Sequence, residues 1–354
     1  SFLFLWRGLR TNRTLDFVLS GVWMGINPYT HLPARFMPIP VVLFFIVRWA
    51  VTARTAAAGG RTPARHFLDS FRPLFIIGIA ALVTYAPMGI YFVLHPSDFL
   101  GRSAVTSILN PTMNQGDFWG TLWRSAWGTF GGFGFTADAN WLANLPGKSI
   151  LNPVLAVLFW LGVLLTLVRI RRLPYLFIFL TWFTLLLPAV ITPERSPHYS
   201  RMMITACIAY IFPAIAIVAL GDLLERASCL GRHAWFACSA AELRHTIGYP
   251  ETSPVWQQQA ARAIRAGMWL AVAVLFALTG LSTYHDYFDV WAHSDAHYMA
   301  FDGYAVQLAE QIRAEDDPNV MYVIPRDIRA AEFYPHYTLD FLLREGAPYR
   351  YVPM

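Results

Sequence analysis

The sequence predicts an all-α polytopic membrane protein. About seven transmembrane helices and the stub of an earlier one are expected, with a small α/β extracytoplasmic unit at the C-terminal end. Three observations lead there. Only 14% of the 354 residues are charged, against roughly a quarter in a soluble domain. Apolar runs of membrane-spanning length recur along the chain. Residues 285–354 differ in kind, with 12 acidic and 5 basic residues, while the 284 before them carry a net charge of +12.

The runs are taken in order. Residues 1–6, "SFLFLW", read as the last turns of a helix already under way, so an upstream portion is expected. Candidate spans follow at 15–31, 37–51, 74–94, 152–168, 174–191, 203–221 and 267–284. Sixteen of the 22 Lys and Arg residues before position 285 fall in one alternate set of loops. By the positive-inside rule that set is cytoplasmic, and it includes the polar loop 222–266. Loop 95–151, loop 192–202 and the tail then face outward, from the cytoplasmic (inner) membrane. Residues 1–284 form the transmembrane domain and 285–354 the tail. Within the tail "YAVQLAEQIRAE" and "YTLDFLLREG", closed by Gly346, read as helices, and "NVMYVI" as a buried strand. "YRYVPM" resembles the start of another strand.

Loop 95–151 is too long and aromatic for a connector. In "DFWGTLWRSAWGTFGGFGF", Trp119, Trp123 and Trp127 recur every fourth residue, on one helical face. That predicts an amphipathic helix in the membrane interface, where indole rings are favoured. "GTFGGFGF" lacks the following Gly-Lys-Ser/Thr of a phosphate loop and reads as a flexible turn against the bilayer. The spacing of Cys207, Cys229 and Cys238 suits no metal site or disulfide framework. No metal, cofactor or nucleic-acid partner is implied.

Polar groups concentrate in four outward clusters: "NPYTHLPARFMP", "HPSDFLGRSAVTSILN", "DANWLANLPGK" and "ERSPHYSR". They bring Arg35, Arg102, Lys148, Arg195, Arg201, His31, His95 and His198 together with Asp98, Asp138 and Glu194. Ionisable residues at membrane depth usually mark a site. A basic pocket at the membrane surface suits a lipid phosphate, which arginine binds through two parallel hydrogen bonds. The plainer alternative is that Arg35 and Arg201 snorkel to the headgroups and His198 caps a helix.

"YTHLPARFMP", "HPSDFLGRSAVTSILN", "DANWLANLPGKSILNP" and "SPHYSRMM", in this order, resemble the later half of bacterial polyprenyl-phosphate-sugar glycosyltransferases of family 39. That group holds protein O-mannosyltransferases and aminoarabinose transferases, with the C-type glycosyltransferase membrane fold. The resemblance covers about residues 1–345. It implies a donor sugar on a polyprenyl phosphate, an acceptor hydroxyl at the outer face, and inversion at the anomeric carbon. The family's catalytic acidic residue lies near the N-terminus, so here it is expected upstream of Ser1. By resemblance His198 and Arg201, from the "PHxxR" pattern, grip the leaving phosphate, and Arg35 and Tyr29 reach the same phosphate or the sugar. Asp138, Asn140 and Trp141 line the sugar or acceptor side, and Asp98 and Arg102 organise their loop. Expected partners are the bilayer, polyprenyl phosphate, and an upstream half or other membrane subunits. The alternative is a non-catalytic subunit of a membrane complex that keeps the fold. A transporter ranks last, because the midpoints of the expected spans carry no charge.

Overall fold

A computed structural model describes residues 1–142, 144–229, 255–314, 322–326, 335–343 and 349–353. Most of loop 222–266, with Cys238, and Gly346 lie outside the described residues.

Helices dominate. They are α1 (Phe2–Thr11), α2 (Thr14–Thr30), α3 (Pro38–Ala58), α4 (Pro63–Leu94), α5 (Pro96–Thr106), α6 (Pro111–Asn114), α7 (Phe118–Gly131), α8 (Pro153–Val168) and α9 (Leu173–Val190). After them come α10 (Tyr199–Met202), α11 (Ala206–Ala209), α12 (Ile211–Cys229), α13 (Val255–Tyr284), α14 (Asp295–Ala300), α15 (Gly303–Ala314) and α16 (Pro335–Leu343). Local sequence sets many of the starts. Proline takes the first helical position of α3, α4, α5, α6 and α8, where its missing N–H costs nothing. Asn152 caps α8 by accepting from Leu155 N at 3.0 Å, and Asp117 caps α7 by accepting from Gly120 N at 2.8 Å.

Five helices are long and apolar enough to cross a membrane: Pro33–Ala58, Pro63–Leu94, Leu173–Val190, Tyr199–Leu224 and Arg262–Trp291. The chain therefore has the character of a multi-pass membrane protein. The other two expected spans are shorter helices. Pro153–Val168 is apolar but only 16 residues long. Thr14–Thr30 has 17 and carries Asp16, whose carboxylate is bound by Arg7 Nε at 2.7 Å. The outward faces of the long helices are apolar: Ile79, Leu82, Val83 and Val93 on α4 are all more than 60% exposed. On a chain this helical, such faces are wetted by lipid.

The chain forms two compact units. The first is 1–138 with 147–275, and α9 runs through its middle. One core packs Phe133, Phe159, Trp182, Leu186 and Phe212; the other packs Leu5, Phe17, Phe44, Phe45, Ile77 and Phe177. Phe177 and Trp182 both belong to α9, so this helix ties the two cores together. Close approach is set by small residues. A Cβ on Gly162 would run into the Phe212 carbonyl, which seats α8 against α12. Gly21 and Gly25 face the carbonyls of Ile77 and Ala81. Both pairs have the same offset, so α2 and α4 run parallel with their N-termini at one end of the bundle.

The second unit is 139–146 with 276–354. Its second segment starts inside α13, which continues without a break past residue 276. A π-helical stretch, His285–Trp291, extends it. Trp291 Nε1 donates to the Trp141 carbonyl at 2.9 Å, which fastens 139–146 to this unit. Strands β1 (Tyr322–Arg326) and β2 (Tyr349–Pro353) pair in parallel, in register Tyr322 to Tyr349, and α16 lies between them in sequence.

Candidate functional site

Two polar clusters form in the first unit at the end of the bundle where α2, α4 and α9 finish. Ile108 N donates to Ile191 O at 2.8 Å, which links the segment after α5 to the loop after α9.

The first cluster joins "YTHLPARFMP" to "HPSDFLGR". Tyr29 reaches α4 and stands between two groups of its backbone ladder. Its hydroxyl donates to Thr84 O and accepts from Met88 N, both at 3.2 Å. Those groups would bond each other in an unbroken helix. The insertion sits beside Pro87, inside α4. Arg35 follows in the 3-10 turn Leu32–Phe36. Its guanidinium carbon lies 4.9 Å from the Phe92 ring centre and 4.3 Å from that of Phe99. One Nη donates to Phe99 O at 3.4 Å, a long bond. Its Nε is buried without a partner, as is Nε2 of His31. Among the described residues no carboxylate lies within 4.0 Å of Arg35. Asp98 accepts from the Tyr91 hydroxyl at 2.6 Å, tying α5 to the end of α4. The Arg102 side chain lies outside the described residues.

The second cluster joins "SPHYSRMM" to α7 and the segment after it. Arg201 Nη1 donates to both the carbonyl and the hydroxyl of Thr192 at 2.9 Å, and Nη2 to Glu194 at 2.7 Å. The pair is mostly shielded, with side-chain exposures of 13% and 23%. Asp138 is 2% exposed and accepts from Tyr199 N at 3.0 Å, at the start of α10. The Tyr199 hydroxyl lies 2.8 Å from Lys148 O and 3.2 Å from Thr136 O. Ser196 Oγ donates to Ser125 O at 2.8 Å, and Ser125 Oγ to Ala189 O at 3.4 Å.

Glycine makes this docking possible. A Cβ on Gly128 would lie 3.0 Å from Ser196 backbone, and one on Gly132 3.2 Å from Pro197. The segment expected as a flexible turn against the bilayer is therefore a buried platform for the 192–202 loop. Small residues were needed there for close approach, not for mobility. The opposite face of α7 follows expectation: Trp119, Trp123 and Trp127 are 75%, 69% and 64% exposed, while Ser125 and Thr129 are buried.

His198 stands among four charges. Burial pushes its imidazole below the ordinary value of 6.5, and Arg201 and Arg195 push the same way. Asp138 and Glu194 oppose them. The result is a neutral ring at neutral pH, with Nδ1 3.0 Å from Ser200 Oγ. It can offer a hydrogen bond but not a full charge.

The chain matches no family model, no curated protein and no solved structure. The geometry thus stands alone. Asp138, His198 and Arg201 come together, and Tyr29 and Arg35 both engage the second half of α4. Asn140 and Trp141 belong to the second unit; Asn140 Oδ1 accepts from Leu142 N at 3.2 Å, and Trp141 is held through its carbonyl. The sequence reading left Glu194 and Tyr199 without roles. Opposite charges seven residues apart in one short loop signal the Glu194–Arg201 pair. Nothing in the sequence signals that Tyr199 bridges two carbonyls.

Proposed function

We propose that the chain is a membrane glycosyltransferase of the family 39 type, or its donor-binding half, taking sugar from a polyprenyl phosphate to an acceptor hydroxyl. One observation carries this reading. Arg35 is a half-buried cation on two aromatic rings, with an unpartnered Nε and, among the described residues, no carboxylate within 4.0 Å. Such a cation calls for an anion from outside the fold. In this reading Arg35 meets the lipid phosphate, His198 adds a neutral hydrogen bond, and Arg201 holds the loop in shape. In this reading the end bearing both clusters faces outward, which the excess of basic residues in the loops at the other end supports.

Native mass spectrometry of the chain in detergent with a polyprenyl-phosphate sugar tests the donor site. Retention of the lipid that Arg35→Gln abolishes is expected. Equal retention of uncharged polyprenol overturns it. Labelling of Ser294→Cys on intact cells tests sidedness, and reaction only after permeabilisation overturns the orientation. A second reading, a non-catalytic subunit with the same fold, is favoured by the Arg201–Glu194 pair, which neutralises one expected phosphate ligand from within.

A further inference from the structure

At the opposite end of the bundle lies a cavity of about 260 Å³ that the donor site does not use. Arg61, from the loop between α3 and α4, and Arg72, from α4, both line it. Asn12 and Thr14 close it from the turn between α1 and α2, and the chain there is shaped by Asn12 in the left-handed conformation, φ 54°. Phe17 and Ile76 form its apolar wall, and Asp69 is its one carboxylate.

Three features point to an anionic occupant. First, two guanidinium groups share the cavity with one carboxylate, and among the described residues no carboxylate lies within 4.0 Å of either arginine. Second, Thr14 is the first residue of α2, and the cap residue Arg13 accepts no bond through its side chain. Thr14 and Phe17, both in the first turn of this 17-residue helix, line the cavity, so the positive end of the helix dipole lies beside it. Third, the one acid in that first turn, Asp16, is already engaged by Arg7 and Thr11. It does not answer the charge in the cavity.

Size and lining narrow the class. The volume falls under the roughly 300–1,000 Å³ of a pocket that encloses a whole small ligand. It suits one phosphate with its first attached carbons. The apolar wall beside the arginines suits a group with a greasy continuation. All four arginines here, Arg54, Arg61, Arg65 and Arg72, reach solvent, but only Arg61 and Arg72 line the cavity. Basic pockets between helices at a membrane surface are a known way to hold anionic headgroups.

We propose that Arg61, Arg72 and the α2 N-terminus form a second phosphate site, which takes the headgroup of an anionic phospholipid from the leaflet opposite the donor. The full chain, in nanodiscs of phosphatidylcholine with graded phosphatidylglycerol, tests it through the fraction of spin-labelled phosphatidylglycerol held motionless. Wild type should hold it in preference to spin-labelled phosphatidylcholine. Losing one charge-assisted bond is about a tenfold change in affinity, so Arg61→Gln and Arg72→Gln should each weaken retention by about that factor. Asp69→Asn removes the competing negative charge and should strengthen it, which keeps the test meaningful if an arginine variant folds poorly. Displacement by millimolar inorganic phosphate with no lipid preference would reassign the site to soluble phosphate and overturn the lipid assignment. Equal retention of both lipids by wild type, or no change in all three variants, overturns the site itself. Arg35→Gln should leave this readout unchanged, so failure here is separable from failure of the donor site.

Discussion

The two arginines at the donor end are placed by opposite means. Arg201 is enclosed: Glu194 neutralises it, Thr192 takes its remaining donors, and the loop around it docks on a glycine platform. Arg35 rests on Phe92 and Phe99, with one long bond and one orphaned nitrogen. A cation answered inside the fold is part of the frame. A cation held by ring faces keeps its donors available. Both residues occupy similar places in the sequence, each at the start of an apolar run. Only the neighbours distinguish them.

The largest effect should come from filling the platform under Arg201. Gly132→Leu puts a branched side chain where even a Cβ would lie 3.1 Å from Met202 Cε and 3.2 Å from Pro197 Cβ, inside van der Waals contact. Overpacking of this kind costs about 1–3 kcal/mol, and more where the backbone must move. The matched change near Arg35 is Gly101→Ala, where a Cβ meets nothing within 4 Å. That helical position should gain roughly 0.5–1 kcal/mol from the loss of glycine. Thermal unfolding of both variants reads the contrast. A stable Gly132→Leu protein would mean the loop is not seated as described.

A double-mutant cycle on Arg201 and Glu194 comes next. Breaking a well-shielded pair costs up to about 3–5 kcal/mol; this pair is partly exposed, so Arg201→Gln should cost about 2 kcal/mol after screening. Glu194→Gln should cost a similar amount, and the double variant less than the sum. Arg35→Gln loses ring contacts, worth about 0.5–1 kcal/mol where the cation still reaches solvent, and one long bond to Phe99 O. It should lower melting temperature little while lowering lipid-phosphate retention strongly. Equal losses of stability at Arg35 and Arg201 would dissolve the distinction.

The sequence carried more of the helices than of the site. Apolar runs marked α3, α4, α8 and α9, because that signal is local. The exposed tryptophan face of α7 was legible for the same reason, since its period is that of a helix. The glycine platform was not. A run of glycines reads alike whether it frees a chain or lets another chain approach, and the partner, Ser196 with Pro197, lies some 65 residues away. Arg201 had a sign of its answer in Glu194, seven residues before it, but the same short loop also offers Arg195, and only contact shows which cation the carboxylate takes. The clusters were found as lists of residues; which member frames the site and which is left open is a fact of tertiary contact.

The smallest effect, and the finest probe of the enclosed region, is the pH response of His198. Its pKa is lowered in the folded protein, first by burial and then by Arg201 and Arg195, against Asp138 and Glu194. The folded state therefore favours the neutral ring. Above the ordinary value of 6.5 the ring is neutral in both states, and stability from this source is fully present. As pH falls below that value the unfolded chain takes up a proton that the folded chain declines, so stability is lost until the folded pKa is passed. The melting temperature of wild type should thus fall faster than that of His198→Asn, which keeps a polar atom near Ser200, as the pH drops from about 7 to about 5. Because other groups titrate over the same range, the difference between the two slopes is the measurement. Glu194→Gln sharpens it: with Glu194's charge gone and Arg201 no longer neutralised, the ring is harder to protonate, and the slope of this variant should be steeper than that of wild type. Identical slopes in wild type and His198→Asn would place the imidazole in solvent, and with it the outer wall of the loop that separates Arg201 from Arg35 in kind.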